Sequence, residues 1–213
     1  MEQPLILRHL LGQGILPEQF MENMLDRQMP LSGIANTKER FREIYDHFTW
    51  GSDEDRQFFF RFGEHAKMTC LILCTDWCPD VIWNVPVLFR VMEHADIKAG
   101  VLLMEEHLEV MDLFLTNGGR AQPIAVFMDE DGRVLGRWGA RPAYIQAVMD
   151  GFKQSHPNPQ ASDYQENLNE TYKAIGELYR ADSGTTYQNG LIGELRQLFN
   201  RFPLESNPRG PRS

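Results

Sequence analysis

The chain has 213 residues, a formal net charge of −9 and an isoelectric point near 5.2. That length fits one ordinary domain with extensions, or at most two small ones, and 42 % hydrophobic with 24 % charged residues supports a sizeable core and excludes wholesale disorder. The acid excess argues against a nucleic-acid partner held by bulk electrostatics, and no stretch approaches the roughly 18–20 uninterrupted apolar residues of a membrane span. The opening Met1-Glu2-Gln3-Pro4 lacks the basic region and apolar run of a secretory signal. The three cysteines, Cys70, Cys74 and Cys78, form no disulfide framework in a chain of this length. A cytoplasmic protein with reduced thiols is expected.

The first sixty-odd residues read as helical. Pro17 is placed to open a helix with Phe20, Met24 and Leu25 on one face. Asn36 is placed to cap a second, carrying Phe41, Ile44, Tyr45 and Phe48. Ser52 followed by Asp53, Glu54 and Asp55 marks a third helix start, running to about His65: a hydroxyl accepts free amides and acids face the positive helix end. Thr69 to Thr75 is short and apolar on both faces, as a fully buried strand is. Asp76-Trp77-Cys78 reads as a tight turn. Pro79 begins a helix to about Ala95, with Pro86 inside it. Val101 to Met104 reads as a second buried strand, and His107 to Thr116 as a helix stopped by Asn117-Gly118-Gly119.

Ile124 to Met128 and Val134 to Trp138 flank Asp129-Glu130-Asp131-Gly132 and predict a β-hairpin. A helix with Tyr144, Ile145 and Val148 follows Arg141-Pro142. This alternation implies an α/β sheet, with strands joined by the first two crossovers parallel and the hairpin antiparallel. Ser155 to Gln160 is a linker by composition. Two amphipathic helices follow, one carrying Tyr164, Leu168, Ile175, Leu178 and Tyr179 and the other Leu191, Ile192, Leu195, Leu198 and Phe199, broken at Ser183-Gly184, and Pro203 to Ser213 is expected to fray. The terminal helices are expected either to pack across the core or to mediate a homodimer, because an apolar helix face suits both.

Cys78 falls at a strand-to-helix junction. Free amide N–H groups and the positive end of the helix dipole favour thiolate there, so a lowered thiol pKa is expected; Asp80 opposes it. Trp77 is placed to cover one side of the sulfur. Cys70 and Cys74 share one strand face by alternation and read as core residues. Four mostly extended residues separate Cys74 from Cys78, up to about 13 Å, which disfavours an internal disulfide. No histidine lies at compact ligand spacing from the cysteines, so no metal site is expected.

The segment Asp76-Trp77-Cys78-Pro79-Asp80-Val81 resembles the active-site segment of the thioredoxin superfamily, whose motif is Trp-Cys-Gly-Pro-Cys. A proline-containing helix after the cysteine, Gln122-Pro123-Ile124 before the hairpin, and Trp138-Gly139 before the last helix match in order. The segments Asp76 to Asp80 and Trp138 to Pro142 look closer to a bacterial thioredoxin-like subgroup with Asp-Trp-Cys-Gly-Asp and Trp-Gly-x-Arg-Pro. The resemblance implies an α/β thioredoxin-like fold, a mixed sheet flanked by helices, over about 53–153. Helical extensions at 1–52 and 154–213 would flank it. It implies Cys78 as the catalytic residue and a cis bond before Pro123, which faces the sulfur. It implies a substrate groove formed by Trp77, the Gln122 backbone and Gly139; Asp80, Pro123 and Arg141 complete the candidate substrate-binding residues.

Two departures follow. The second motif cysteine is replaced by Val81, and the buried acid six residues before the nucleophile by Ile72. The expectation is a monothiol oxidoreductase without bound cofactor: Cys78 forms a mixed disulfide with a protein or small molecule, and an external thiol resolves it. Arg120, Arg137 and Arg141 either receive the carboxylate of a low-molecular-weight thiol such as glutathione or bacillithiol, or are ordinary solvated charges. One alternative is a non-catalytic thioredoxin-fold interaction module. Another is a peroxiredoxin-like peroxidase, for which Thr75-x-x-Cys78 matches but Leu71 stands where that family has proline.

Overall fold

The computed structural model describes residues 4–203. Its elements are α1 (Pro17–Asn23), α2 (Thr37–Asp46), α3 (Asp53–His65), β1 (Met68–Cys74), α4 (Pro79–His94), β2 (Lys98–Leu103), α5 (Leu108–Met111), β3 (Ile124–Asp129), β4 (Val134–Gly139), α6 (Ala143–Ser155), α7 (Tyr164–Arg180) and α8 (Thr185–Phe199). The sequence signals act as expected at most boundaries. The Asn36 side chain accepts the Glu39 N–H, and Ser52 Oγ accepts those of Glu54 and Asp55. The expected fraying of 204–213 lies outside the described residues. Among the described residues, no helix is long and apolar enough to cross a membrane.

The sheet order is β2-β1-β3-β4. β1 pairs parallel with β2 and antiparallel with β3, and β3 pairs antiparallel with β4. The fold is thus an α/β thioredoxin-like mixed sheet flanked by helices. One topological expectation is corrected: β3 does not run parallel to β2. The connection between them is also not the helix expected over 107–116, but the four-residue α5 between 3₁₀ turns. A parallel return needs a long crossover to the far end of the sheet; this segment stays at the near end.

Alternation along β1 divides the core. Cys70, Ile72 and Cys74 face the larger apolar cluster with α3, α4 and α8, while Leu71 and Leu73 face a smaller one with Leu10, Val110 and Phe114. The N-terminal segment meets both outer strands, β2 through a bridge from Ile15 to Val101 and β4 where the Val134 N–H donates to the Leu5 carbonyl at 2.9 Å, next to a bridge from Ile6 to Arg133. These cover part of the sheet edge. Phe20 in α1 and Met24 just after it are buried as expected, but Leu25 is 60 % exposed, because the helix ends at Asn23 and the helical period no longer holds at position 25.

The C-terminal helices pack on their own chain. Leu191, Ile192, Leu195 and Phe199 of α8 are buried in the main core, as are Ile175 and Tyr179 of α7. α7 also closes on the 3₁₀ turn Pro30–Ser32, where Arg180 Nη1 donates to the Ser32 carbonyl at 3.0 Å. At Gly176, an added Cβ would lie 2.8 Å from that carbonyl oxygen. Gly176→Ala is therefore expected to push the two extensions apart and cost about 1–3 kcal/mol of overpacking. This outweighs the roughly 1 kcal/mol that alanine gains in helix propensity. A lower urea midpoint at unchanged m value is the expected readout.

Candidate active site

β1 ends at Cys74, and Cys78 immediately precedes α4, whose first residue is Pro79. Proline is tolerated there because the first helical N–H has no intrahelical partner. The intervening turn is pinned from the N-terminal extension. Asp76 Oδ2 accepts the Leu25 N–H at 2.8 Å and pairs with Arg27 at 2.6 Å. Trp77 is 43 % exposed, with its indole N–H donating to Glu105 at 2.6 Å.

The Cys78 sulfur lies 3.7 Å from the Gln122 carbonyl oxygen, and the Gln122–Pro123 peptide bond is cis. Gly139 packs on the same loop: its φ is +133°, and an added Cβ would lie 2.1 Å from the Pro123 carbonyl oxygen. Glycine is required there on both counts. All three cysteines are free. Cys70 and Cys74 are fully buried, and burial raises both thiols far above their ordinary range.

The electrostatics at Cys78 reverse one expectation. The residue is partly exposed, yet its sulfur is surrounded closely enough that desolvation is the largest influence on the thiol. Together with the nearby Asp80 carboxylate, it pushes the pKa up to about 12. The N–H groups of Val81 and Asp80 and the Arg141 guanidinium act in the opposite direction but do not prevail. The amide effect expected from the sequence is present; it is outweighed by a dry environment and by an anion two residues further on.

Asp80 anchors a buried network. Arg141 Nη2 lies 2.6 Å from Asp80 Oδ2 and Arg141 Nε donates to Oδ1 at 2.9 Å. The side chains are only 8 % and 10 % exposed for Asp80 and Arg141. Tyr179 Oη–H donates to Asp80 Oδ1 at 2.8 Å, and Asn84 Nδ2 donates to Tyr179 Oη at 2.8 Å and to the Asp80 carbonyl at 2.8 Å. Burial moves the Asp80 carboxyl pKa upward, against Arg141 and Tyr179, which lower it. The two-point contact with Arg141 fixes it as a carboxylate near neutral pH. Burial, then Asp80, raises the Tyr179 hydroxyl pKa well above the ordinary value, so it remains a donor.

The three arginines read from the sequence are all engaged. Arg120 grips Asp112 at 2.7 and 2.8 Å, Arg137 donates to the Phe114 and Leu115 carbonyls, and Arg141 holds Asp80. Among the described residues, no group of three or more His, Cys, Asp or Glu is placed to hold a metal ion.

A cavity of about 410 Å³ opens beside the sulfur. Trp77, Cys78 and Asp80 form its floor, with Arg141. Met29, Pro30 and Leu31 supply one wall, and Tyr172, Ile175 and Tyr179 supply another. The structure thus brings Trp77, Cys78, Asp80 and Arg141 around one space. Gln122, Pro123 and Gly139 do not line it. Sequence reasoning missed both walls. The helical period marked Ile175 and Tyr179 as apolar-face residues, but nothing local showed that this face meets Cys78.

The sequence profile of the Thioredoxin family matches residues 24–157. This is wider than the 53–153 read from the sequence and takes in much of the N-terminal extension. No curated protein matches the sequence. Similar solved structures include a protein of unknown function from Pseudomonas aeruginosa, 19 % identical at a TM-score of 0.57, the match covering 90 % of this chain and 95 % of that one. An HIV epitope-scaffold is also 19 % identical, at a TM-score of 0.51, with 81 % and 98 % covered. At that identity the likeness shows the fold alone. The profile match spans more than half of the chain and contains the turn, the cysteine and the hairpin described above; the protein therefore belongs to the thioredoxin family.

Proposed function

We propose that the protein carries out thiol–disulfide exchange with Cys78 as its sole nucleophile, in a reducing cytoplasm that supplies the resolving thiol. The observation that carries this reading is the placement of the Cys78 sulfur. It lies at a helix start, 3.7 Å from the Gln122 carbonyl of the cis-proline loop, at the edge of an open cavity. Cys70 and Cys74 are buried and offer no resolving thiol. The mixed disulfide on Cys78 is therefore released by an external thiol. The Asp80 and Val81 N–H groups and Arg141 favour the sulfur anion as it forms.

In native protein, iodoacetamide is expected to add one label, on Cys78, and none on Cys70 or Cys74. Cys78→Ser is expected to lose at least a hundredfold in exchange rate. Labelling of a buried cysteine first, or undiminished exchange in the serine variant, would refute the assignment.

A second reading is a thioredoxin-fold module that binds a partner without redox chemistry. The thiol raised to about 12 favours it, since little thiolate exists at rest. It predicts full biological activity in Cys78→Ser. Peroxide reduction needs a thiolate as exchange does, and its motif is only half present, with Leu71 where that family has proline.

A further inference from the structure

We infer that the cavity beside Cys78 selects a compact, uncharged, apolar disulfide over a protein strand or an anionic thiol conjugate; this names the substrate class of the exchange reading and rests on it.

Three observations converge. First, the cavity is neutral overall. Its ionisable pair, Asp80 and Arg141, is mutually satisfied at 2.6 Å, and its other walls are Met29, Pro30, Leu31, Tyr172 and Ile175. Entry of a carboxylate would strip it of water with no free cation among the lining residues to receive it. Second, the loop that would align an extended peptide is covered. Gln122 is 5 % exposed and Pro123 is buried, so a polypeptide has little backbone to pair with beside the sulfur. Third, the volume of about 410 Å³ suits a small ligand, within the roughly 300–1,000 Å³ of such sites. The space is continuous with Cys78 itself, so an occupant lies next to the nucleophile.

The step balances as an exchange. The Cys78 thiolate attacks the near sulfur of R–S–S–R′, the new bond to Sγ forms, the old sulfur–sulfur bond breaks, and R′S⁻ leaves and takes up the proton that Cys78 gave up. A small thiol R″SH then cleaves Cys78–S–S–R, releasing R–S–S–R″ and restoring Cys78.

The test compares three disulfides at pH 7.5: 4,4′-dithiodipyridine (neutral, aromatic), 5,5′-dithiobis(2-nitrobenzoate) (dianionic) and insulin (a protein disulfide). Each rate at Cys78 is divided by the rate of N-acetylcysteine with the same probe, and adducts are located by mass spectrometry. The corrected rate is expected to favour the neutral probe over each of the other two by at least tenfold. Leu31→Lys adds a cation to the wall at a residue 38 % exposed, and is expected to cut the preference over the dianion at least threefold. Equal corrected rates, a faster insulin reaction, or an unmoved preference in a folded Leu31→Lys variant would overturn the cavity assignment and leave exchange at Cys78 standing. Absence of any adduct on Cys78 would overturn both. Should the variant fail to fold, the wild-type ratios decide alone.

Discussion

An Asp80→Asn variant is expected to alkylate at Cys78 at least ten times faster than the wild type at pH 7. The Asp80 carboxylate is the second largest cause of the raised thiol, after burial, and the substitution removes its charge with little change of shape. It also leaves the Arg141 guanidinium without its counter-ion, and Arg141 already favours the thiolate. Both changes lower the thiol pKa. Each unit of lowering multiplies the thiolate present at neutral pH by about ten. In the wild type, with the thiol near 12, the rate is expected to climb about tenfold per pH unit from 7 to 10 without a plateau. In the variant the curve moves to lower pH. Iodoacetamide kinetics with mass-resolved labelling check both, and one label per chain shows that the fold has survived. A folded variant with an unmoved pH–rate curve would mean that the carboxylate does not govern the sulfur.

Arg141→Gln is expected to cost about 3–5 kcal/mol at pH 7.5, the typical penalty for leaving a buried charge without its partner. The side chains involved are 10 % and 8 % exposed, so solvent screens the loss poorly. The pH dependence has a definite sign. In the folded protein Asp80 holds its proton to higher pH than the ordinary 3.8 of an unfolded chain. The folded state therefore binds more protons between those two values, and stability falls as pH rises through that window. Without Arg141 the native carboxyl pKa rises further and the window extends upward. The variant is expected to recover part of its loss at pH 5, where Asp80 can take a proton and remain hydrogen-bonded within its network. Urea unfolding at pH 5 and 7.5 measures this. An equal loss at both would assign Arg141 a packing role through its aliphatic stem.

The sequence revealed the parts of this molecule that local chemistry controls. Ser52, Asn36 and Pro79 begin helices because their side chains or rings suit the first turn, wherever that turn ends up. The short apolar run ending at Cys74, bounded by polar residues, reads as a fully buried strand and is one. The ordered placement of Cys78, Pro123 and Gly139 led to the fold. What stayed hidden depends on distant contacts. The connection from β2 to β3 has helical spacing at Val110, Met111 and Phe114, yet most of it folds as short turns against the smaller core. The thiol was expected to ionise easily because a helix start is legible in one dimension, whereas enclosure by Met29 to Leu31 and Tyr172 to Tyr179 is not. Arg141 read as a solvated charge or an anion receptor because nothing in the sequence places Asp80 beside it.

The cavity walls come from chain segments remote from the turn that bears the sulfur, one before the sheet and one after it. Changes along Met29–Leu31 would reshape what is admitted without disturbing the strand–turn–helix unit. Because Tyr179 of α7 also holds the Asp80 carboxylate that faces the thiol, the helix that shapes the cavity and the acidity of the sulfur are tied together, and a change on that face alters both at once.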